Sequence, residues 1–326
     1  MPDQIKAEFE VLDERFRFCH GDHWLERLYG GCRWTEGPAY FPAGRYLVFS
    51  DIPNDRVLRW DETTGAVGVF RQPAGYANGH TVDRQGRLVS CEQDGRRVTR
   101  TEHDGSVSVL AGSYDGRRFN SPNDIVEQSD GSLWFTDPSY GIDSDYEGHQ
   151  APSEIGGCHV YRIDPTTGQV TIVADDFDRP NGLAFSADER QLYISDSARR
   201  HIRRFDVTGG SGVTGGAALT GGAVFATCDA GTFDGLRLDS GGRIWAAAGD
   251  GLHCLDPDGT LIGKIRVPET VANLTFGGPK RNQLYICATS SLYSIMVNVT
   301  GLASGGGALP GGAPADGEAT AQRQVR

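Results

Sequence analysis

NGLAFSADERQLYISD, residues 181–196, decides how the rest of the chain is read. A polar residue and a glycine open an apolar stretch, ADER makes a turn, and QLYISD returns as a second apolar run that ends in a carboxylate. Alternation at period two between turn formers marks a half-buried hairpin. The phrase recurs as EGPAYFPAGRYLVFSD (36–51), NGHTVDRQGRLVSCE (78–92), NDIVEQSDGSLWFTD (123–137), DGLRLDSGGRIWAAA (234–248) and NLTFGGPKRNQLYICA (273–288). The opening residues Glu36, Asn78, Asn123, Asn181, Asp234 and Asn273 stand 42, 45, 58, 53 and 39 residues apart. Self-similarity at such a period is the signature of a repeat architecture.

Each copy continues alike. A third apolar run follows at 56–61, 97–102, 159–164, 201–206, 251–256 and 291–296, and turns such as DETTG, EHDG, DPTTG and DPDG close most of them. Fourth runs stand at 66–71, 106–111, 169–174, 222–227 and 261–266. Four short antiparallel strands per repeat describe a propeller blade, so the expectation is an all-β, six-bladed β-propeller. The sixth copy lacks a fourth strand. HWLERLYGG (23–31), just before the first anchor, has the spacing to supply it and to remove the open sheet edges. The expected organisation is an N-terminal segment over 1–22, the propeller over 23–299, and a disordered Gly/Ala-rich tail over 300–326.

Composition limits the function. The 326 residues carry 31 Lys+Arg against 43 Asp+Glu, a net charge of −12, which argues against nucleic acid or an anionic membrane as the main partner. No apolar stretch approaches the ~20 residues of a membrane span, and MPDQIKAEFEVLDERF has no signal-peptide core. Seven cysteines without a CxxC read as reduced thiols, hence a cytoplasmic protein. A monomer or homodimer acting on a small molecule is expected.

In a blade the first strand is innermost, so the six anchors meet at one mouth of the central channel. Asn and Asp also open strands for reasons of turn geometry alone, but six in register point to a shared task. Carboxylate and amide oxygens without His or Cys suit a hard divalent cation: calcium first, with Mn2+, Mg2+, Fe2+ or Zn2+ as alternatives. About four of the six are expected to ligate. Asp51, Glu92, Asp137 and Asp196, at the ends of the second strands, are candidates to orient the ligands, Asp137 and Asp196 above the others. The long segment 138–157 is a candidate lid, and Arg117 and Arg118 could steer an anion. His80, two residues past an anchor, reads as a packing residue or a substrate contact. A GxGxxG at Gly210, Gly212 and Gly215 lacks the strand and helix that a dinucleotide site requires.

Together WTEGP, FSDIPNDRVLRWDE, RRVTRTEHDGSVSVLA, NSPNDIV, LWFTDPSYGI, DDFDRPNGLAFS and DGLRLDSGGRIWAA resemble the SMP-30/gluconolactonase-like family, in its bacterial gluconolactonase branch, over about Trp34–Tyr293. The resemblance implies a six-bladed propeller that hydrolyses lactones with a metal held by Glu36, Asn123, Asn181 and Asp234. It leaves Asn78 and Asn273 lining the channel, with Asn78 as a substrate contact. Animal members carry a substrate-binding Arg two residues before the third-blade Asn, where this chain has Ser121, so sugar recognition is expected to differ here. Candidate substrate contacts are therefore Asn78, His80, Asn123, Tyr140 and Asp137. The expected reaction is metal-dependent opening of a sugar lactone, with Asp234 as proton acceptor or, alternatively, nucleophile. An esterase or phosphotriesterase using the same site, or a non-catalytic metal-binding propeller, are the other readings.

Overall fold

The computed structural model describes residues 3–209 and 217–302. Six four-stranded antiparallel units are arranged around a channel, each running outward in chain order. Their inner strands are Thr35–Phe41, Ala77–Val82, Ile125–Glu127, Pro180–Phe185, Leu236–Leu238 and Val271–Gly277, and these define blades one to six. Blade six takes its fourth strand, Trp24–Tyr29, from the start of the chain, pairing it with Ser291–Met296.

The chain before residue 23 is also woven into the ring. Asp3–Lys6 adds a fifth strand to blade six, and Glu8–Val11 adds one to blade five. A 3-10 turn at Glu14–Cys19 then buries Phe16 completely. Phe16 sits where a Cβ on Gly263 would fall 2.0 Å from its ring, so the blade-five outer strand needs glycine there. In blade four the third and fourth strands extend to His201–Thr208 and Ala218–Thr227, so the fourth strand begins four residues before the 222–227 run read from the sequence. The GxGxxG glycines and residues 303–326 of the expected tail lie outside the described residues.

Alternation along the strands places the apolar side chains between neighbouring blades. Val89, Cys91, Phe135 and Tyr161 fill the interface of blades two and three, and Trp134, Leu192 and Ile194 that of three and four. Tyr285 and Cys287 meet Leu47, Phe49 and Trp60 where the last blade meets the first. Full burial of each large side chain stabilises by about 1.5–3 kcal/mol relative to exposure. The ring is therefore held by its interfaces, and the inner strands are free to present polar side chains to the channel.

Candidate active site and metal centre

The recurring glycine after the anchor has a geometric cause. A Cβ on Gly37 would lie 2.0 Å from the Asn78 carbonyl oxygen, one on Gly79 2.4 Å from that of Asn123, and one on Gly182 2.5 Å from that of Asp234. On Gly235 it would strike the Asn273 amide at 2.2 Å. Each of these glycines thus abuts the anchor of the next blade, and the hub closes tightly enough for side chains of different blades to share one ligand. Gly37 also has φ +53, which L-residues adopt with strain.

The residues at the ends of the second strands do complementary work. Ser50, Thr136 and Ser195 each donate a hydroxyl hydrogen, at 2.8 Å, to the backbone carbonyl of the next anchor: Asn78, Asn181 and Asp234. The carboxylate that follows grips the segment leading into its own blade's anchor. Asp51 accepts from the Arg33 N–H at 2.9 Å, Asp137 from Asn120 and Ser121 at 2.9 and 2.8 Å, and Asp196 from Asp178 and Arg179 at 2.9 and 3.1 Å. Asp137 and Asp196 therefore fix the anchors through backbone. Glu92 instead pairs with Arg97 at 2.6 Å and accepts from Thr99.

Within the hub, the oxygens of Asn78, Asn123 and Asn181 and one oxygen of Asp234 are buried and have no hydrogen-bond partner. Buried acceptors are normally satisfied, and leaving one unpaired costs about 1–3 kcal/mol. The Asn181 amide N–H donates to Ser197 Oγ at 3.1 Å, while Ser197 donates to the Phe233 carbonyl at 2.7 Å, so the Asn181 oxygen faces the cavity. Asn273 is turned the other way. Its oxygen accepts from the Leu274 N–H at 2.8 Å and its amide donates to Glu36 Oε2 at 2.9 Å, so it has no oxygen to offer and buttresses Glu36.

Electrostatics point the same way. Burial, reinforced by the Asp124 charge, pushes the Glu36 carboxyl up to about 8. Burial, with the Glu36 charge next, raises Asp234 as well. Two carboxyls driven toward neutrality beside orphaned amide oxygens form a donor set that a divalent cation completes. Asp124, fully buried below them, is held by its own following N–H and by Arg237 at 3.2 Å.

The cavity above these oxygens has a volume of about 370 Å3. Glu36, Asn78, Asn123, Asn181 and Asp234 form its floor, and Trp34, Tyr140, Glu147 and Thr232 are among its walls. Tyr140 lies on a short helix, Tyr140–Asp143, and the Arg179 guanidinium covers its ring 4.9 Å from the centroid. Glu147, on the 138–157 segment, stands at no repeat position, whereas Asp124 occupies the slot that holds glycine after Glu36, Asn78, Asn181 and Asp234; neither is among the sequence candidates.

Two sequence candidates are not brought to this cavity. Asp137 is fully buried and consumed by the backbone contacts above, so it does not reach a substrate placed there. His80 lines a separate cavity of about 490 Å3 at the other mouth of the channel. Its ring nitrogens lie 2.8 Å from the hydroxyls of Ser50 and Ser90, and burial lowers its pKa to about 3, so it is a neutral packing residue. Arg117 and Arg118 sit exposed in a small hairpin away from the floor. Among the described residues, Asp229, Asp250 and His253 also cluster, but Lys264 Nζ stands 2.7 and 2.8 Å from Asp229 and 3.1 Å from Asp250, and Arg266 also pairs with Asp250, so two cations already face the two carboxylates.

Residues 34–290 match the model of the SMP-30/gluconolactonase/LRE-like region. The chain is 29% identical to a gluconolactonase of Zymomonas mobilis, over 85% of this chain and 82% of that protein. It is 30% identical to a pentonolactonase of Haloferax volcanii, over 78% and 81%. A solved gluconolactonase structure from Xanthomonas campestris superimposes with a TM-score of 0.84 at 37% identity, covering 90% of this chain and 97% of that one. Regucalcin from Agrobacterium tumefaciens shares the fold at 21% identity, with a TM-score of 0.71 over 86% and 95% of the two chains.

Proposed function

Since the chain belongs to the SMP-30/gluconolactonase/LRE-like family, we propose that it is a metal-dependent lactonase opening a sugar lactone of the gluconolactone type to its aldonic acid. The observation that carries this reading is the set of unpartnered oxygens of Asn123, Asn181 and Asp234 beside Glu36, at the floor of a cavity of small-molecule size. A cation held by these four residues supplies a Lewis acid for the lactone carbonyl, with calcium the first choice for an all-oxygen donor set.

The protein's own groups do the rest. Asp234 takes the proton of the attacking water as its oxygen joins the carbonyl carbon. Asn78, with its oxygen free in the cavity, accepts from a substrate hydroxyl, and Tyr140 walls the ring on one side. Ser121 donates its hydroxyl to the Pro138 carbonyl at 2.6 Å, so it supports the start of the lid and does not bind sugar. The seven unpaired cysteines fit a cytoplasmic setting.

The test is a substrate panel followed by proton release: glucono- and pentonolactones against aryl esters and organophosphate triesters. The expected result is kcat/KM at least tenfold higher on the aldonolactones. Preference for the aryl esters or triesters would move the site to the esterase or phosphotriesterase reading, and no turnover of any of them would leave a binding protein.

A further inference from the structure

Opening a lactone moves two protons. One leaves the attacking water and one must arrive on the ring oxygen when the C–O bond breaks, because an alkoxide is a poor leaving group. Asp234 accounts for the first, which leaves the second without a donor.

The 138–157 segment holds four acidic residues, and the structure disposes of three of them. Asp143 pairs with Arg179 at 2.6 Å, Asp145 accepts from the Gln150 N–H at 2.8 Å, and Glu154 accepts from the Arg118 N–H at 3.0 Å. Glu147 alone lines the cavity, from the wall that the lid provides over a floor made by the hub. Its position is built. A Cβ on the next residue, Gly148, would fall 2.2 Å from the Gly141 carbonyl oxygen, so the segment folds flat against the short helix. Ala151 N–H donates to the Ile142 carbonyl at 3.1 Å, and His149 Nδ1 lies 2.8 Å from Asp94 in blade two. Beside the Glu147 carboxyl stands the neutral Gln93 amide and no cationic partner, and the other titratable groups facing the cavity are Glu36, Asp234 and Tyr140.

We propose that Glu147 is the general acid that protonates the departing ring oxygen. The inference rests on the lactonase reading of the site. As the water oxygen bonds to the carbonyl carbon and its proton passes to Asp234, the ring C–O bond breaks. Its electron pair takes the Glu147 proton and becomes the product hydroxyl. The new carboxylic acid loses its proton to solvent; Asp234 then releases one and Glu147 regains one. Burial pushes the Glu147 carboxyl up to about 7, so a protonated fraction is present at neutral pH. A floor carboxylate and a lid carboxyl facing one substrate from two sides divide acid and base between them.

The experiment measures kcat and KM of wild type, Glu147→Gln and Glu147→Ala on the aldonolactone that the wild type hydrolyses fastest, with thermal unfolding and calcium affinity as controls. Glu147→Gln is expected to lower kcat about 100-fold with KM changed less than threefold. In Glu147→Ala, added imidazole is expected to restore at least a tenth of the lost rate, since its imidazolium form is a proton donor near neutral pH and replaces the missing acid. A raised KM with unchanged kcat would make Glu147 a recognition residue and overturn the proposal, as would unchanged kinetics or the absence of any rescue by imidazole. A wild type inactive on every lactone would instead fail the lactonase reading itself.

Discussion

Asp234→Asn is expected to lower turnover of an aldonolactone by about a thousandfold while leaving the propeller folded, within the ~10²–10⁴ range for loss of a positioned general base. Asparagine keeps the volume and one oxygen, and the Asp234 backbone stays fixed by its carbonyl, which accepts from Ser195 at 2.8 Å. What disappears is the proton acceptor and one of two negative charges at the hub. The cavity oxygen of Asp234 has no hydrogen-bond donor among the described residues, so the substitution strands no partner there. The rate is read by proton release, and thermal unfolding checks the fold. Undiminished activity would remove Asp234 from the mechanism.

Removal of divalent cations is the second large effect. Chelation is expected to reduce lactone hydrolysis to the uncatalysed background, and calcium or manganese to restore it. The same treatment should lower the unfolding temperature, because Glu36 and Asp234 are then buried together with no cation between them, beside amide oxygens that nothing satisfies. A cation present at 100 times its Kd stabilises the native state by about 2.7 kcal/mol, a shift readily seen by scanning calorimetry. Activity that survives exhaustive chelation would contradict a metal-dependent site.

The sequence made the ring legible because each blade repeats its own local code. An anchor and glycine open four of the inner strands, and a serine or threonine followed by an acid ends three of the second strands. Both turn out to be contacts to the neighbouring hub residues: Gly37 fits only without a Cβ against Asn78, and Ser50 ties down the Asn78 carbonyl. Four ligand candidates were legible from the same code together with the family resemblance. The choice between anchors needed side-chain orientation, since Asn273 differs from Asn181 only in which way its amide is turned. Of the two readings of His80 the packing one fits, because a strand rises about 3.3 Å per residue and a side chain two positions past an anchor already belongs to the lower channel. Glu147 and the strands at Asp3–Lys6 and Glu8–Val11 fall outside the repeat. Their positions come from tertiary packing that no periodicity reports.

The proposed mechanism depends on one divalent cation held by four side-chain oxygens at the hub. Anomalous diffraction from crystals loaded with manganese tests it most directly. The expected result is a single strong peak about 2.0–2.6 Å from oxygens of Glu36, Asn123, Asn181 and Asp234. A hub without a peak, or a peak only at Asp229, Asp250 and His253, would contradict it.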